Sequence, residues 1–183
     1  MLLAEGQRSQ PKISQLKSAA ELPLRILVLC TGNSARSIMA ESIFNSLAAD
    51  LFQAYSAGSN PTGKVHPMAL AQIGQLALPE NMIVRSKSWQ EFTDRNAPEF
   101  DLLLTVCDHA AAEPCPTFAG QYEYVHWSFP DPAGSSNNVE AERAAFTRCF
   151  NNIKTRVETL VAKLSTNICN NRATVANVMR ELS

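Results

Sequence analysis

A cysteine and an arginine stand six positions apart where an apolar run gives way to small polar residues. The run LRILVLC ends at Cys30, the loop TGNSA follows, and Arg36 and Ser37 come next. Between a buried strand and a helix, the N–H groups of such a C-x5-R-S loop can surround a tetrahedral oxyanion at the positive end of the helix dipole. Arg36 would add a bidentate pair of donors for two of the anion's oxygen atoms. The predicted oxyanion site is the whole loop: Thr31, Gly32, Asn33, Ser34, Ala35, Arg36 and Ser37.

Cys30 is the predicted nucleophile of this site. The field that favours an anion would also lower the pKa of the Cys30 thiol and favour the thiolate. Ser37 is placed to donate a hydrogen bond to that thiolate, and Gly32 and Asn33 suit the left-handed backbone conformations that an anion-binding loop requires. The alternative is a buried cysteine at a strand end with an unrelated arginine on the next helix. The agreement of strand, loop, spacing and helix favours the chemical site.

Two further thiols and a carboxylate follow later strand-like runs. Cys107 ends the run DLLLTVC, Cys115 lies eight positions beyond it, and Asp131 stands between two prolines after YEYVHWSF. Ligands of open parallel sheets bind at the carboxyl ends of the strands, so Cys107 and Asp131 are expected on one edge with Cys30. Asp131 could protonate a leaving oxygen there, although an aspartate in a Pro-Asp-Pro turn could also be a solvated loop residue.

The candidate ligands for a metal ion are Cys107, His109 and Cys115, with His126 as a fourth. The spacing C-x-H-x5-C matches no common structural zinc pattern. We therefore predict neither a metal site nor a cofactor, and we interpret these histidines as hydrogen-bonded or exposed residues.

The elements that would position the site alternate between strands and helices. Apolar runs rich in β-branched residues indicate strands buried on both faces, and apolar residues spaced by three and four indicate helices. Strands are predicted at 24–30, 52–57, 101–107 and 122–129, and helices at 34–51, from Pro67 onward, at 89–92, 139–164 and 173–182, with a short one at 14–21. This alternation is typical of a parallel α/β fold.

The length of 183 residues favours one compact domain. It is predicted at 24–165, between an N-terminal extension (1–23) and a C-terminal tail (166–183). A net charge of −1 gives no drive toward nucleic acid or an anionic membrane. No apolar run reaches the length of a membrane span and no export signal is visible, so a cytoplasmic protein is expected.

The chain has five cysteines, an odd number in a chain without an export signal. This favours reactive or buried thiols over a framework of structural disulfides. Cys149 lies on the apolar face of the predicted long helix and is expected to be buried and inert. Cys169 lies in the polar segment NICNNR and is expected to be an incidental exposed thiol.

Several of these segments resemble a known family. The motif CTGNSARS (30–37), the later Asp131-Pro132 and the α/β layout resemble the low-molecular-weight protein tyrosine phosphatase superfamily over residues 24–165. Within it, TVCDHAAAEPCP (105–116) and HWSFPDPAG (126–134) are similar to the arsenate reductases. The resemblance implies a low-molecular-weight phosphatase-like fold, an α/β three-layer open sandwich with a four-stranded parallel sheet. It also implies a three-cysteine redox relay for arsenic detoxification. Cys30 would attack arsenate, Arg36 would bind it and Asp131 would be the general acid.

The thiols favour a reductase over a phosphatase. Phosphate hydrolysis regenerates its single thiol, whereas reducing As(V) to As(III) consumes two electrons that further thiols must supply. Cys107 could attack the Cys30–arsenic adduct, release arsenite and leave a Cys30–Cys107 disulfide, which Cys115 could then resolve by attacking Cys107. Phosphotyrosine enzymes of this kind usually carry an aromatic residue and a second loop cysteine where this chain has Ala133 and Ala35.

Two other functions stay open at the level of sequence, a phosphatase for small or tyrosyl phosphates and a non-catalytic oxyanion sensor. Phosphate and sulfate are the expected competitors of arsenate because they share its tetrahedral shape. The resemblance favours thioredoxin as the reductant and leaves glutaredoxin with glutathione as an alternative. No nucleic acid or membrane partner is expected.

Overall fold

Four parallel strands form the sheet of this protein, whose computed structural model describes residues 23–135, 137–166 and 171–183. The strands are β1 (Leu24–Cys30), β2 (Phe52–Gly58), β3 (Leu102–Thr105) and β4 (Glu123–His126), in the order β2-β1-β3-β4. The helices are α1 (Arg36–Leu47), α2 (Pro67–Ile73), α3 (Asp108–Ala112), α4 (Val139–Ser165) and α5 (Arg172–Glu181), with a 3₁₀ helix at Trp89–Phe92. The predicted helix at 14–21 lies outside the described residues.

Successive side chains of β1 enter two apolar clusters, one on each face of the sheet. Ile26 and Val28 join the larger cluster, which includes the buried faces of α1, α4 and α5. Leu27 and Leu29 join the smaller cluster of aromatic rings from the 3₁₀ helix and nearby loops. Because both faces are covered, β1 can be apolar at every position except the exposed Arg25. The predicted α/β three-layer sandwich with a four-stranded parallel sheet is confirmed.

Three elements are shorter than predicted. Helix α1 begins at Arg36 because residues 31–35 form the loop before it, and it ends at Leu47 in a turn closed by a hydrogen bond from the Leu51 N–H to the Ala48 carbonyl. Strand β3 ends at Thr105 because Cys107 turns to cap α3. Strand β4 ends at His126, and Trp127 is fully buried with its ring N–H donating to the Met179 carbonyl.

The long helix α4 has the predicted apolar face. Its buried residues recur at spacings of three and four and pack in the larger cluster: Phe146, Cys149, Phe150, Ile153, Val157, Leu160 and Leu164. The Asn138 side chain caps its first turn by accepting from the Glu140 and Ala141 N–H groups. Helices α1 and α4 therefore lie on the same face of the sheet, beside the edge where the loops of the site meet.

Candidate active site

A cleft lies at the carboxyl edge of the sheet. It is lined by the loop from Cys30 to Arg36, by Thr62, by Cys107, Asp108 and His109, and by residues of 128–133 that include Asp131. The structure therefore brings Cys30, Arg36, Cys107 and Asp131 to one place. Cys115 is exposed and does not line the cleft.

The loop after Cys30 is bound through its carbonyl groups to a neighbouring segment, residues 59–66. The carbonyls of Cys30, Thr31, Gly32 and Ser34 accept hydrogen bonds of 2.8–3.2 Å from backbone N–H groups between Ser59 and His66. The Asn33 N–H instead donates to Cys30 Sγ at 3.1 Å. With its carbonyls engaged by this neighbouring segment and an amide directed to the sulfur, the loop has the arrangement of an anion-binding turn at the start of α1.

Asn33 has the left-handed conformation predicted for this loop, with φ of 41°. Gly32 was expected to share it and does not, so that expectation is wrong. A Cβ at Gly32 would lie 3.4 Å from Thr62 Cγ2, so Gly32 allows close packing against the 59–66 segment. Gly58 at the end of β2 is the tighter position, because a Cβ there would lie 2.4 Å from the Thr31 carbonyl oxygen.

The Cys30 thiol is buried and surrounded by donors. Its sulfur lies 2.8 Å from Ser37 Oγ, as predicted, and accepts from the Asn33 N–H. Burial raises the pKa of the Cys30 thiol, and the hydrogen bonds from Ser37 and Asn33 offset only part of that rise. The expected lowering of this pKa is therefore wrong, because removal of the thiol from water outweighs the donors around it.

A buried polar network that sequence reasoning missed extends behind the nucleophile. Asn33 Nδ2 donates to Ser37 Oγ at 2.9 Å and to Ser56 Oγ at 3.0 Å. Ser56 Oγ donates to Glu41 Oε2 at 2.6 Å, and Lys87 Nζ donates to both Glu41 oxygens at 3.0 and 2.9 Å. Asn33 also accepts from the Lys87 N–H. The network therefore ties the residues that hold Cys30 to a buried ion pair.

One signal in the sequence points to part of this network. Ser37 and Glu41 are four positions apart on α1 and hence share a face of the helix. Burial raises the pKa of Glu41, and the Lys87 ammonium group and the Ser56 hydroxyl offset part of that rise. Lys87 follows no such spacing, because it lies in an irregular segment before the 3₁₀ helix.

We expect Lys87→Met to lower the free energy of unfolding by about 3–5 kcal/mol, because it leaves the Glu41 carboxylate buried without its partner. Urea unfolding measures this loss. The control is Arg85→Met, which breaks the exposed Arg85–Glu91 pair and should cost at most about 1 kcal/mol. Equal small losses in both variants would contradict a structural role for the buried pair.

Arg36 and Asp131 contact each other across the cleft. Arg36 Nη2 donates to Asp131 Oδ2 at 2.5 Å, and Arg36 Nη1 donates to the Phe129 carbonyl at 3.0 Å. The other Asp131 oxygen accepts from the Ala133 N–H. The bidentate donors expected to face an oxyanion are thus engaged by the 129–131 segment. An oxyanion that binds both terminal nitrogens of Arg36 therefore competes with Asp131 and with the Phe129 carbonyl for these donors.

Cys107 lies beside Cys30 because their strands are neighbours. Strands β1 and β3 pair directly, and the Val106 N–H continues that pairing by donating to the Leu29 carbonyl. Cys107 is buried, and its sulfur lies 3.8 Å from Thr31 Oγ1. It also caps α3 by accepting from the Ala110 N–H at 3.4 Å.

Cys149 and His66 have structural roles outside the proposed chemistry. Burial raises the pKa of Cys149 to about 12, which fits the predicted inert thiol. His66 caps α2 by accepting from the Met68 N–H. Cys169 lies outside the described residues. In the described parts of the chain, no three His, Cys, Asp or Glu side chains form a group that could hold a metal ion.

None of the helices within the described ranges is long and apolar enough to cross a membrane.

A family model and several known proteins match this chain. The model, described as low molecular weight phosphotyrosine protein phosphatase, matches residues 25–170. A protein of Halalkalibacterium halodurans named arsenate reductase is 35% identical over 134 residues, which are 73% of this chain and 92% of that protein. The alignment therefore includes nearly the whole of that relative.

Solved structures show the same architecture. Arsenate reductase from Archaeoglobus fulgidus is 27% identical with a TM-score of 0.56, over 75% of this chain and 98% of that one. A thioredoxin-dependent arsenate reductase of Corynebacterium glutamicum is 20% identical with a TM-score of 0.54, over 80% of this chain and 64% of that one. The second likeness is one of fold alone.

Proposed function

The chain belongs to the low-molecular-weight phosphotyrosine protein phosphatase family, and from the two thiols in its cleft we propose that it reduces arsenate to arsenite. The observation that carries this proposal is the position of Cys107 beside Cys30 at the ends of neighbouring strands. A phosphatase needs only the first of these thiols, whereas a reductase needs a second to supply electrons. The names of two relatives, each called arsenate reductase and 35% and 32% identical to this chain, support the same reaction.

In the proposed mechanism, arsenate enters the loop of residues 31–37 and displaces Asp131 from Arg36. Cys30 attacks arsenic as its thiol proton passes to the bound arsenate, and an arsenate hydroxyl group leaves as water after taking a proton from Asp131. The product of this step is a Cys30 thioester of arsenate. The amides of the loop and the freed Arg36 side chain stabilise the anion throughout.

The second step transfers two electrons. Cys107 attacks the Cys30 sulfur, the new S–S bond forms, and the electron pair of the S–As bond stays on arsenic, which leaves as arsenite. Cys115 then attacks Cys107, so Cys30 is released as a thiol and a Cys107–Cys115 disulfide remains. An external dithiol reduces this disulfide and completes the cycle.

We propose thioredoxin as that dithiol, with glutaredoxin and glutathione as the alternative, and the cytoplasm as the compartment because thiols are kept reduced there. The exposure of Cys115 supports this assignment, since a protein reductant must reach the final disulfide. Arsenite formation measured with thioredoxin and with glutaredoxin separately tests both function and reductant. Release of phosphate from an aryl phosphate without arsenite formation would instead identify a phosphatase.

Asp131→Asn is expected to lower kcat for arsenate by roughly 10² to 10⁴, the usual contribution of a general acid. The same change should tighten the binding of phosphate, because the carboxylate that occupies Arg36 loses its charge. Steady-state kinetics with phosphate as a competitive inhibitor measures both quantities. Weaker phosphate binding together with a small loss of kcat would contradict the acid role and indicate that Asp131 only positions Arg36.

A further inference from the structure

Helix α3 connects the two thiols of the proposed final disulfide and is very short. It has five residues, Asp108–Ala112, and of these only Ala110 is buried. Isolated helices shorter than about 12 residues are marginal in water, so contacts outside the helix must stabilise α3. These contacts lie at its first turn.

Two groups in the first turn anchor α3 to the sheet. Cys107 caps the helix through its sulfur, and Asp108 Oδ1 lies 3.2 Å from His126 Nε2 on β4. Hydrogen bonds from Ser128 and His126 lower the pKa of Asp108, so the group that accepts these bonds at neutral pH is a carboxylate. Arg36 is a further positive charge near this carboxylate.

His126 is held from its other side by the sheet itself. Its Nδ1 atom lies 2.8 Å from Oγ1 of Thr105, a buried residue of β3. The Tyr124 hydroxyl donates to the same Oγ1 atom at 3.3 Å. These two side chains fix the orientation of the His126 ring, with its Nε2 atom directed toward Asp108.

We propose that the Asp108–His126 contact is a latch that holds α3 helical while its thiols are reduced. The proposal rests on the proposed function, which requires a Cys107–Cys115 disulfide. A five-residue helix spans about 7.5 Å, whereas the Cα atoms of a disulfide lie within about 7 Å of each other. In this proposal α3, which lies between the two cysteines, unwinds when the disulfide forms, and unwinding withdraws Asp108 from His126. His126 is thus a positioning residue for the redox pair.

The latch stabilises the dithiol and not the disulfide, so its removal should favour the disulfide. The test is the equilibrium of Cys107 and Cys115 with glutathione, in which the dithiol and one glutathione disulfide give the protein disulfide and two glutathione thiols. The protein is the full chain carrying Cys30→Ser, which prevents pairing of Cys30 with Cys107. Alkylation of the remaining thiols and peptide mapping give the oxidised fraction in each buffer.

Two substitutions of His126 distinguish the loss of its contact with Asp108 from the loss of its contact with Thr105. An asparagine amide reaches the place of Nδ1 and keeps the Thr105 contact, whereas a glutamine amide reaches the place of Nε2 and keeps a donor for Asp108. We expect His126→Asn to raise the equilibrium constant for the disulfide by about three- to fivefold, the size of an exposed ion pair, and His126→Gln to stay within about twofold of the parent. Asp108→Asn should shift it as His126→Asn does.

Glu91→Gln is the matched control, because it breaks another exposed ion pair, with Arg85, without touching α3. It should leave the constant unchanged. Loss of global stability would not by itself shift an equilibrium between two folded redox states. No shift in His126→Asn and Asp108→Asn, or an equal shift in His126→Gln, would overturn the latch alone. Failure of the Cys30→Ser protein to form the disulfide in any buffer would overturn the relay and the latch together.

Discussion

Cys30→Ser is expected to abolish arsenite formation while the fold and oxyanion binding are retained. A serine hydroxyl fits the space of the thiol and can keep the hydrogen bonds to Ser37 and to the Asn33 N–H. It is a far weaker nucleophile at neutral pH. It also cannot form a disulfide with Cys107, so the two electrons that arsenic needs have no path to it.

Arsenite production with excess reductant measures this loss, and calorimetric titration with phosphate measures oxyanion binding. Cys149→Ala is the control, because Cys149 is another buried thiol, on α4, and takes no part in the proposed relay. It should keep the activity of the parent protein. Appreciable arsenite from Cys30→Ser would reject Cys30 as the nucleophile, and loss of activity in Cys149→Ala would show that the choice of thiols is wrong.

The parts of the site that could be predicted from sequence are those set by neighbouring residues. The run from Leu24 to Cys30 is apolar at nearly every position, and its direct change to small polar residues defines both the strand end and the loop. The hydrogen bond between Cys30 and Ser37 could be predicted because both residues belong to this short segment. Placement of Cys107 and Asp131 at the same cleft follows from parallel strand order, which brings all carboxyl ends to one edge.

The parts that could not be predicted depend on contacts between distant segments. The Glu41–Lys87 pair joins residues 46 positions apart, and no periodic pattern includes Lys87. The pKa of Cys30 depends on how completely the finished fold removes the thiol from water, which loop composition does not reveal. The contact of Arg36 with Asp131 likewise arises only when the segment after β4 folds over the loop.

The segment between Cys107 and Cys115 has one feature that local sequence indicates and one that depends on a distant residue. Its start is compatible with a helix and its end is limited by Pro114, and the structure has α3 followed by an extended segment. The sequence is therefore compatible with a helix after Cys107 without requiring one. It does not indicate that His126, eighteen positions from Asp108, holds that helix.

Cys107→Ser and Cys115→Ser are expected to fail at different steps of the relay. Without Cys107, the protein should still bind arsenate and form the Cys30 adduct, but the sulfur proposed to attack that adduct is missing. Without Cys115, one arsenite should form per protein molecule before the enzyme stops as a Cys30–Cys107 disulfide. Each disulfide passes on only if the attacking atom is a sulfur that can reach it, and an oxygen in its place cannot take part.

Peptide mapping after one equivalent of arsenate distinguishes these outcomes. The parent protein should accumulate a Cys107–Cys115 disulfide, with Cys149 and Cys169 still open to alkylation once the chain is unfolded. Multiple turnovers in Cys115→Ser with thioredoxin would show that two thiols suffice and that the reductant attacks the Cys30–Cys107 bond directly. Cys149 or Cys169 in the product disulfide would show that the electrons come from another pair. A disulfide between Cys107 and Cys115 alone would, under the proposal for α3, mean that this helix unwinds in every catalytic cycle.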